Sequence, residues 1–189
     1  MTDDPDSCHS IAPDLTVAVR IASRRWRLQL PEAPALLERA ARAALALAAE
    51  PGLAREVSFL LADDARVRRL NRDYRGHDKA TNVLSFPAED EVPPGEGSAG
   101  PRLLGDVVLA LETLEREAAA QSKTLADHVS HLAVHGVLHL LGYDHARAAE
   151  ADRMERLEAR ILAGLGIADP YAVAPRRSRM GGAALPEGA

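Results

Sequence analysis

Three histidines, His135, His139 and His145, are the residues of this chain whose type and spacing most clearly support chemistry. Residues four apart on a helix share a face, so His135 and His139 can converge on one ion. A third ligand must come from off that line. Gly142 adopts positive φ at little cost, which breaks the helix and lets the chain carry His145 back towards the other two. Three neutral imidazoles leave a fourth position for water, the pattern of a catalytic zinc site and not of a closed structural one. The one cysteine, Cys8, rules out a cysteine-based zinc site. One Zn2+ per chain is therefore expected, although imidazole also suits Ni, Co, Cu and Fe.

The spacing HxxxHxxxxxH is also that of the metzincin proteases, where a glutamate directly after the first histidine acts as general base. Here that position is Gly136, so a peptidase of that kind would lack its base. Glycine inside a helix costs about 1 kcal/mol relative to alanine, and something must need the space. Either a substrate group or a closely packed backbone would use it. His128 and His131 lie on the same helical stripe as His135, where they either hold ligands or orient water from behind, or are partly buried histidines bonded to backbone carbonyls. Asp144 either bonds a ligand histidine or caps the turn.

These residues need a helix from about Thr124 to Leu141, stopped by Gly142, and a charged closing helix over Arg147–Gly164. Ahead of them the pattern predicts strands at Thr16–Ile21, Glu56–Leu61, Asn82–Phe86 and Asp106–Leu111. An alanine-rich helix over Ala35–Glu50 ends at Pro51-Gly52. A second begins at Asp63 or Asp64 and ends at Gly76. An acidic Pro/Gly loop covers Pro87–Pro101. Strands and helices without strict alternation predict an α+β domain, with a small, mostly four-stranded sheet packed against helices and a central helix bearing the metal. Its expected bounds are residues 15–168, between disordered termini at 1–14 and 169–189.

With 47% hydrophobic but only 3% aromatic residues, the core must be aliphatic. A lone cysteine, a polar acidic N-terminus and no long apolar run make the cytoplasm the expected compartment, with no membrane partner. The net charge of −5 argues against a coat for duplex DNA. Yet residues 66–79 hold Arg66, Arg68, Arg69, Arg72, Arg75 and Lys79 against Asp73 and Asp78, a local charge of +4. Such a patch suits a single-stranded RNA backbone. Tyr74, Tyr143 and Phe86 are the aromatics nearest these motifs, and each is expected in the core.

Three blocks carry a family resemblance. They are Leu70-Asn71-Arg72-Asp73-Tyr74-Arg75-Gly76-His77-Asp78-Lys79-Ala80-Thr81-Asn82-Val83-Leu84-Ser85-Phe86-Pro87, then Leu104-Gly105-Asp106-Val107-Val108, and His131 through His145 with Met154-Glu155 and Ile161-Leu162. With these the chain resembles the YbeY family of bacterial rRNA-maturation endoribonucleases from about Arg55 to Gly166, and more weakly over Thr16–Glu50. Gly136 fits the family pattern, whereas Ala80 stands where proline is usual. The resemblance implies a zinc-dependent, single-strand-specific endoribonuclease that matures the 3′ end of 16S rRNA and serves ribosome quality control. Its partners would be rRNA and the small ribosomal subunit with its proteins. It implies His135, His139 and His145 as metal ligands and Arg75 as the catalytic arginine. Arg69, Arg72 and Lys79 would then contact RNA, with His131 and Asp144 behind the ligands. Two other readings stay open: an assembly factor whose metal is structural, and a metallohydrolase of another substrate class.

Overall fold

Alternation sets the direction of the sheet. Val17, Val19 and Ile21 are partly buried, while Thr16, Ala18 and Arg20 between them are exposed. The computed structural model, which describes residues 15–50, 53–88, 101–145 and 147–172, forms this segment as strand β1 (Leu15–Ile21). After it come α1 (Arg25–Gln29), α2 (Ala33–Ala48), β2 (Arg55–Ala62), α3 (Asp64–Arg75), β3 (Val83–Pro87), β4 (Arg102–Ala110), α4 (Leu111–Ala120), α5 (Leu125–Leu140) and α6 (Ala148–Gly164). The sheet order is β1-β2-β4-β3. The first three of these are parallel to their neighbours, and β3 runs antiparallel along β4. The expected α+β class, with four strands against helices, is the fold observed. Residues 1–14, most of the 87–101 loop and the tail beyond 172 lie outside the described residues.

Each face of the sheet takes a different partner. Val57, Phe59 and Leu61 of β2 and Val107 and Leu109 of β4 pack against α2 and α5 in the larger core. Ala40, Ala41 and Ala44 of α2 are buried, and side chains this small let α2 lie close along α5. On the opposite face Ala62, Leu84, Val108 and Ala110 meet Val67 of α3, with Leu60, Leu70 and Phe86 at the margin. Fully burying a Leu, Val or Phe contributes about 1.5–3 kcal/mol, so α5 and α3 are fixed on opposite sides of one sheet.

Two sequence expectations change. The strand assigned to Asp106–Leu111 begins four residues earlier, and Leu111 instead opens α4, which follows β4 with no turn residue between them. Helices α1 and α4 carry no assignment in the sequence reading. The choice between Asp63 and Asp64 as cap resolves into two jobs. Asp63 Oδ1 accepts the Arg66 N–H at 2.8 Å and caps α3. Asp64 Oδ1 accepts the N–H and hydroxyl of Thr113 at 3.0 and 2.8 Å, while Glu112 Oε2 accepts the Asp64 N–H at 2.9 Å. Helices α3 and α4 thus cap one another.

The Leu104-Gly105-Asp106 block has a structural reason. The pairing of β2 with β4 steps from Glu56↔Leu103 to Val57↔Gly105, so Leu104 is an extra bulged residue. Gly105 follows with φ +128°, and a Cβ there would lie 2.1 Å from the Phe86 carbonyl oxygen. Only glycine lets β3 approach β4 at this point.

Candidate metal centre

Thr124 starts the histidine helix α5 by accepting the Asp127 N–H at 3.0 Å. At the other end Gly142, with φ +87°, closes it in a Schellman motif. The Gly142 N–H donates to the His139 carbonyl and the Tyr143 N–H to the Leu138 carbonyl, both at 3.0 Å. The chain reverses there, and His145 arrives beside the other two. Candidate ligand atoms of His135, His139 and His145 all lie within 4.8 Å of one another. His145 is exposed, so the group opens to solvent on its side.

The hydrogen bonds test whether this group suits a cation. His139 Nδ1 lies 2.9 Å from the Tyr143 carbonyl oxygen, which can only accept, so Nδ1 carries the proton. His135 Nδ1 lies 2.8 Å from Glu158 Oε1, likewise an acceptor. A neutral imidazole has one N–H. In the neutral form of both rings, the form that binds a metal, each Nε2 is a lone pair, and the two Nε2 atoms face one another at 3.0 Å. Burial, and then the neighbouring His135 and His145, push the His139 imidazole below its ordinary pKa, which keeps it neutral. Two such nitrogens this close share either a proton or a metal ion. Nitrogens at about 2.0–2.1 Å from a tetrahedral ion stand about 3.3–3.4 Å apart, a few tenths of an ångström from the spacing here. The three histidines fit a metal ion.

Glu158 of α6 is the residue that the sequence reading missed. It is 1% exposed, and its Oε2 accepts from His131 Nε2 at 2.9 Å and from the Tyr171 hydroxyl. Burial raises its pKa, but the bonds from His131, His135 and Tyr171 outweigh that and bring it down to about 2. A signal was available. Met154, Glu158, Ile161 and Leu162 share the buried stripe of α6, and a carboxylate in such a stripe needs a partner.

The other expected site residues fall in different places. His131 touches Glu158 and not a ligand ring. Asp144 Oδ1 accepts the His145 backbone N–H at 2.7 Å and so caps the turn. His128 is buried with Nε2 2.8 Å from Glu117 Oε2, and burial lowers its pKa. Arg69, Arg72, Arg75 and Lys79 lie on α3 and the loop after it, across the sheet from α5. Strand β3 ties the two sides together. Ser85 Oγ donates to the Gly136 carbonyl at 3.2 Å, next to His135, and Phe86 meets the Tyr74 ring edge-on at 5.2 Å, next to Arg75. Tyr74, expected in the core, is 71% exposed.

A family model described as Endoribonuclease YbeY matches residues 20–166. The chain belongs to the YbeY family. It is 52% identical over 157 residues to the endoribonuclease YbeY of Paramagnetospirillum magneticum, covering 83% of this chain and 96% of that one. The corresponding protein of Rhodospirillum rubrum is 54% identical over 162 residues, at 82% and 81% coverage. That of Alkalilimnicola ehrlichii is 54% identical over 160 residues, at 85% and 92%. The YbeY match takes in α3, β3, β4 and the whole histidine turn, and ends before Tyr171.

Gly136, part of the matched stretch, answers the question of what needs its space. A Cβ there would stand 2.7 and 3.1 Å from the two Val107 methyl carbons and 3.3 Å from Ser85 Oγ. The glycine lets α5 settle onto β4 and β3; it faces the sheet. Gly136→Ala should therefore lose up to about 2 kcal/mol of stability in urea unfolding, because overpacking costs about 1–3 kcal/mol against the roughly 1 kcal/mol gained in helix propensity. An unchanged midpoint would show that the helix can back away freely.

Proposed function

We propose that this chain is a zinc-dependent endoribonuclease that cleaves single-stranded RNA in the cytoplasm, maturing the 3′ end of 16S rRNA on the small ribosomal subunit and serving ribosome quality control. The observation that carries the reading is the convergence of the His135, His139 and His145 ligand atoms within 4.8 Å of one another, with the Nε2 atoms of His135 and His139 facing each other at 3.0 Å and His145 on an open side. Membership of a family whose relatives are named endoribonucleases supplies the substrate class. When bound, the ion supplies Lewis-acid chemistry, polarising water and offsetting charge at a phosphoryl oxygen.

The chain's own residues do the rest. His135 and His139 are held with Nε2 forward by Glu158 and the Tyr143 carbonyl, so their orientation is set before any ligand arrives. Arg75 stabilises the charge that develops on the phosphoryl oxygens during cleavage. Of the patch on α3, Arg68 is held in a two-bond pair with Asp78 at 2.7 Å and Arg72 is bonded to Asp73 at 2.8 Å. Arg66, Arg69, Arg75 and Lys79 have no ion pair among the described residues, so they are better suited than Arg72 to phosphates. No helix among the described residues is long and apolar enough to cross a membrane.

Purified protein on end-labelled single-stranded RNA, with and without a chelator, tests the reading. The expected result is cleavage that stops with chelator and returns with added zinc. Binding without cleavage under every metal condition would overturn it in favour of an assembly factor. Cleavage indifferent to chelator would remove the metal from the mechanism.

A further inference from the structure

Residues 165–172 follow α6 back across the histidine helix. Gly166, with φ +76°, turns the chain, and the Ile167 N–H donates to the Leu162 carbonyl at 2.9 Å. Ile167 packs against the larger core, and Asp169 Oδ1 accepts the Tyr171 N–H at 2.8 Å. These contacts fix the backbone that presents Tyr171. Its ring stands edge-on to His131 at 5.8 Å, and its hydroxyl reaches Glu158 Oε2.

We propose that Tyr171 is a positioning residue of the metal centre, whose phenol O–H pins one oxygen of Glu158 so that the other holds His135 Nδ1 and His135 Nε2 faces the ion. The inference rests on the reading that His135, His139 and His145 bind a metal. A carboxylate is planar, so fixing Oε2 fixes where Oε1 points. Here Oε2 takes the Tyr171 hydroxyl and His131 Nε2, and Oε1 takes His135 at 2.8 Å. Burial and the Glu158 charge both raise the pKa of the phenol, so it remains a donor. Without it the carboxylate would keep its bond to His131 but lose one of the two bonds that fix Oε2, which loosens the set of the His135 ring. Tyr171, which the sequence places in a tail expected to be disordered over residues 169–189, thereby belongs to the site.

The test uses the full chain with zinc, and with cobalt as a spectroscopic stand-in. Removing a group bonded directly to a ligand histidine typically weakens metal binding by about 10–100-fold, so Glu158→Gln should fall in that range by chelator competition. Tyr171→Phe acts one step further out and should weaken zinc about 3–10-fold and alter the visible cobalt spectrum. Tyr171→Leu, which also loses the ring contact with His131, should match Tyr171→Phe in zinc affinity while losing more stability without metal. In a Glu158→Gln background, Tyr171→Phe should have no further effect on zinc affinity, because the phenol acts through that carboxylate. Wild-type zinc affinity and cobalt spectrum in Tyr171→Phe, or an equal loss in both backgrounds, would overturn the inference and leave the metal centre standing. If His139→Ala holds zinc as tightly as the wild type, the metal assignment itself fails.

Discussion

His145→Ala and His139→Ala are both expected to lose stoichiometric zinc, and RNA cleavage should fall to the level seen with chelator. The two variants differ in what else they disturb. His139 is partly buried, and its loss leaves the Tyr143 carbonyl without its donor, which costs about 1–3 kcal/mol on its own. His145 is exposed, so truncating it removes a ligand atom and little else. Metal-free His145→Ala should therefore unfold at the same midpoint as metal-free wild type. Added zinc should raise the wild-type midpoint, since a ligand bound only by the folded state stabilises it by RT ln(1 + [L]/Kd), and should leave the variant where it was. Elemental analysis with thermal unfolding, with and without zinc, reads both quantities. One zinc per chain in purified His145→Ala, with an undiminished thermal shift, would place the metal elsewhere.

What could be read from residues alone follows from how local the determinants are. The histidine turn was legible because its logic is contained in eleven residues: a helical spacing of four, then a glycine that permits positive φ. Strand β1 was legible from its alternation of apolar and polar residues. Helix α4 was not, because β4 runs into Leu111 with no turn residue and the cap of α4 comes from Asp64, distant in sequence. Glu158 and Tyr171 lie 23 and 36 residues from His135, joined to its site only through the tertiary packing of α6 against α5. The use of Gly136 was also undecidable in sequence, since it depends on Val107 across the sheet. Patterns report what a segment needs; a partner from elsewhere in the chain appears only when the layers are assembled.

Arg75→Lys is expected to bind single-stranded RNA almost as the wild type does and to cleave it far more slowly. The backbone at this position is held from several sides. Tyr74 rests on Phe86, the Arg68–Asp78 pair spans the following loop, and the buried Asn71 donates from Nδ2 to the Lys79 carbonyl at 2.8 Å. Arg75 itself is exposed and has no ion pair among the described residues, so its guanidinium is not committed to a structural role. A guanidinium presents a planar fork that can bridge two phosphoryl oxygens, whereas an ammonium is a point charge with rotatable donors. Lysine keeps the positive charge and hence the long-range attraction. It loses the geometry that matters when charge develops on the phosphoryl group. Loss of one such transition-state donor typically lowers the rate by about 10²–10³, and single-turnover cleavage should fall by that factor. Arg69→Ala should behave in the opposite way, with weaker binding and a flatter dependence on salt, because it removes a phosphate contact that positions the strand. Zinc content should be unchanged in both variants. If Arg75→Lys cleaves at the wild-type rate in single turnover, or loses only affinity, then Arg75 belongs with Arg69 in the strand-binding patch and the charge at the scissile phosphate is met by other groups.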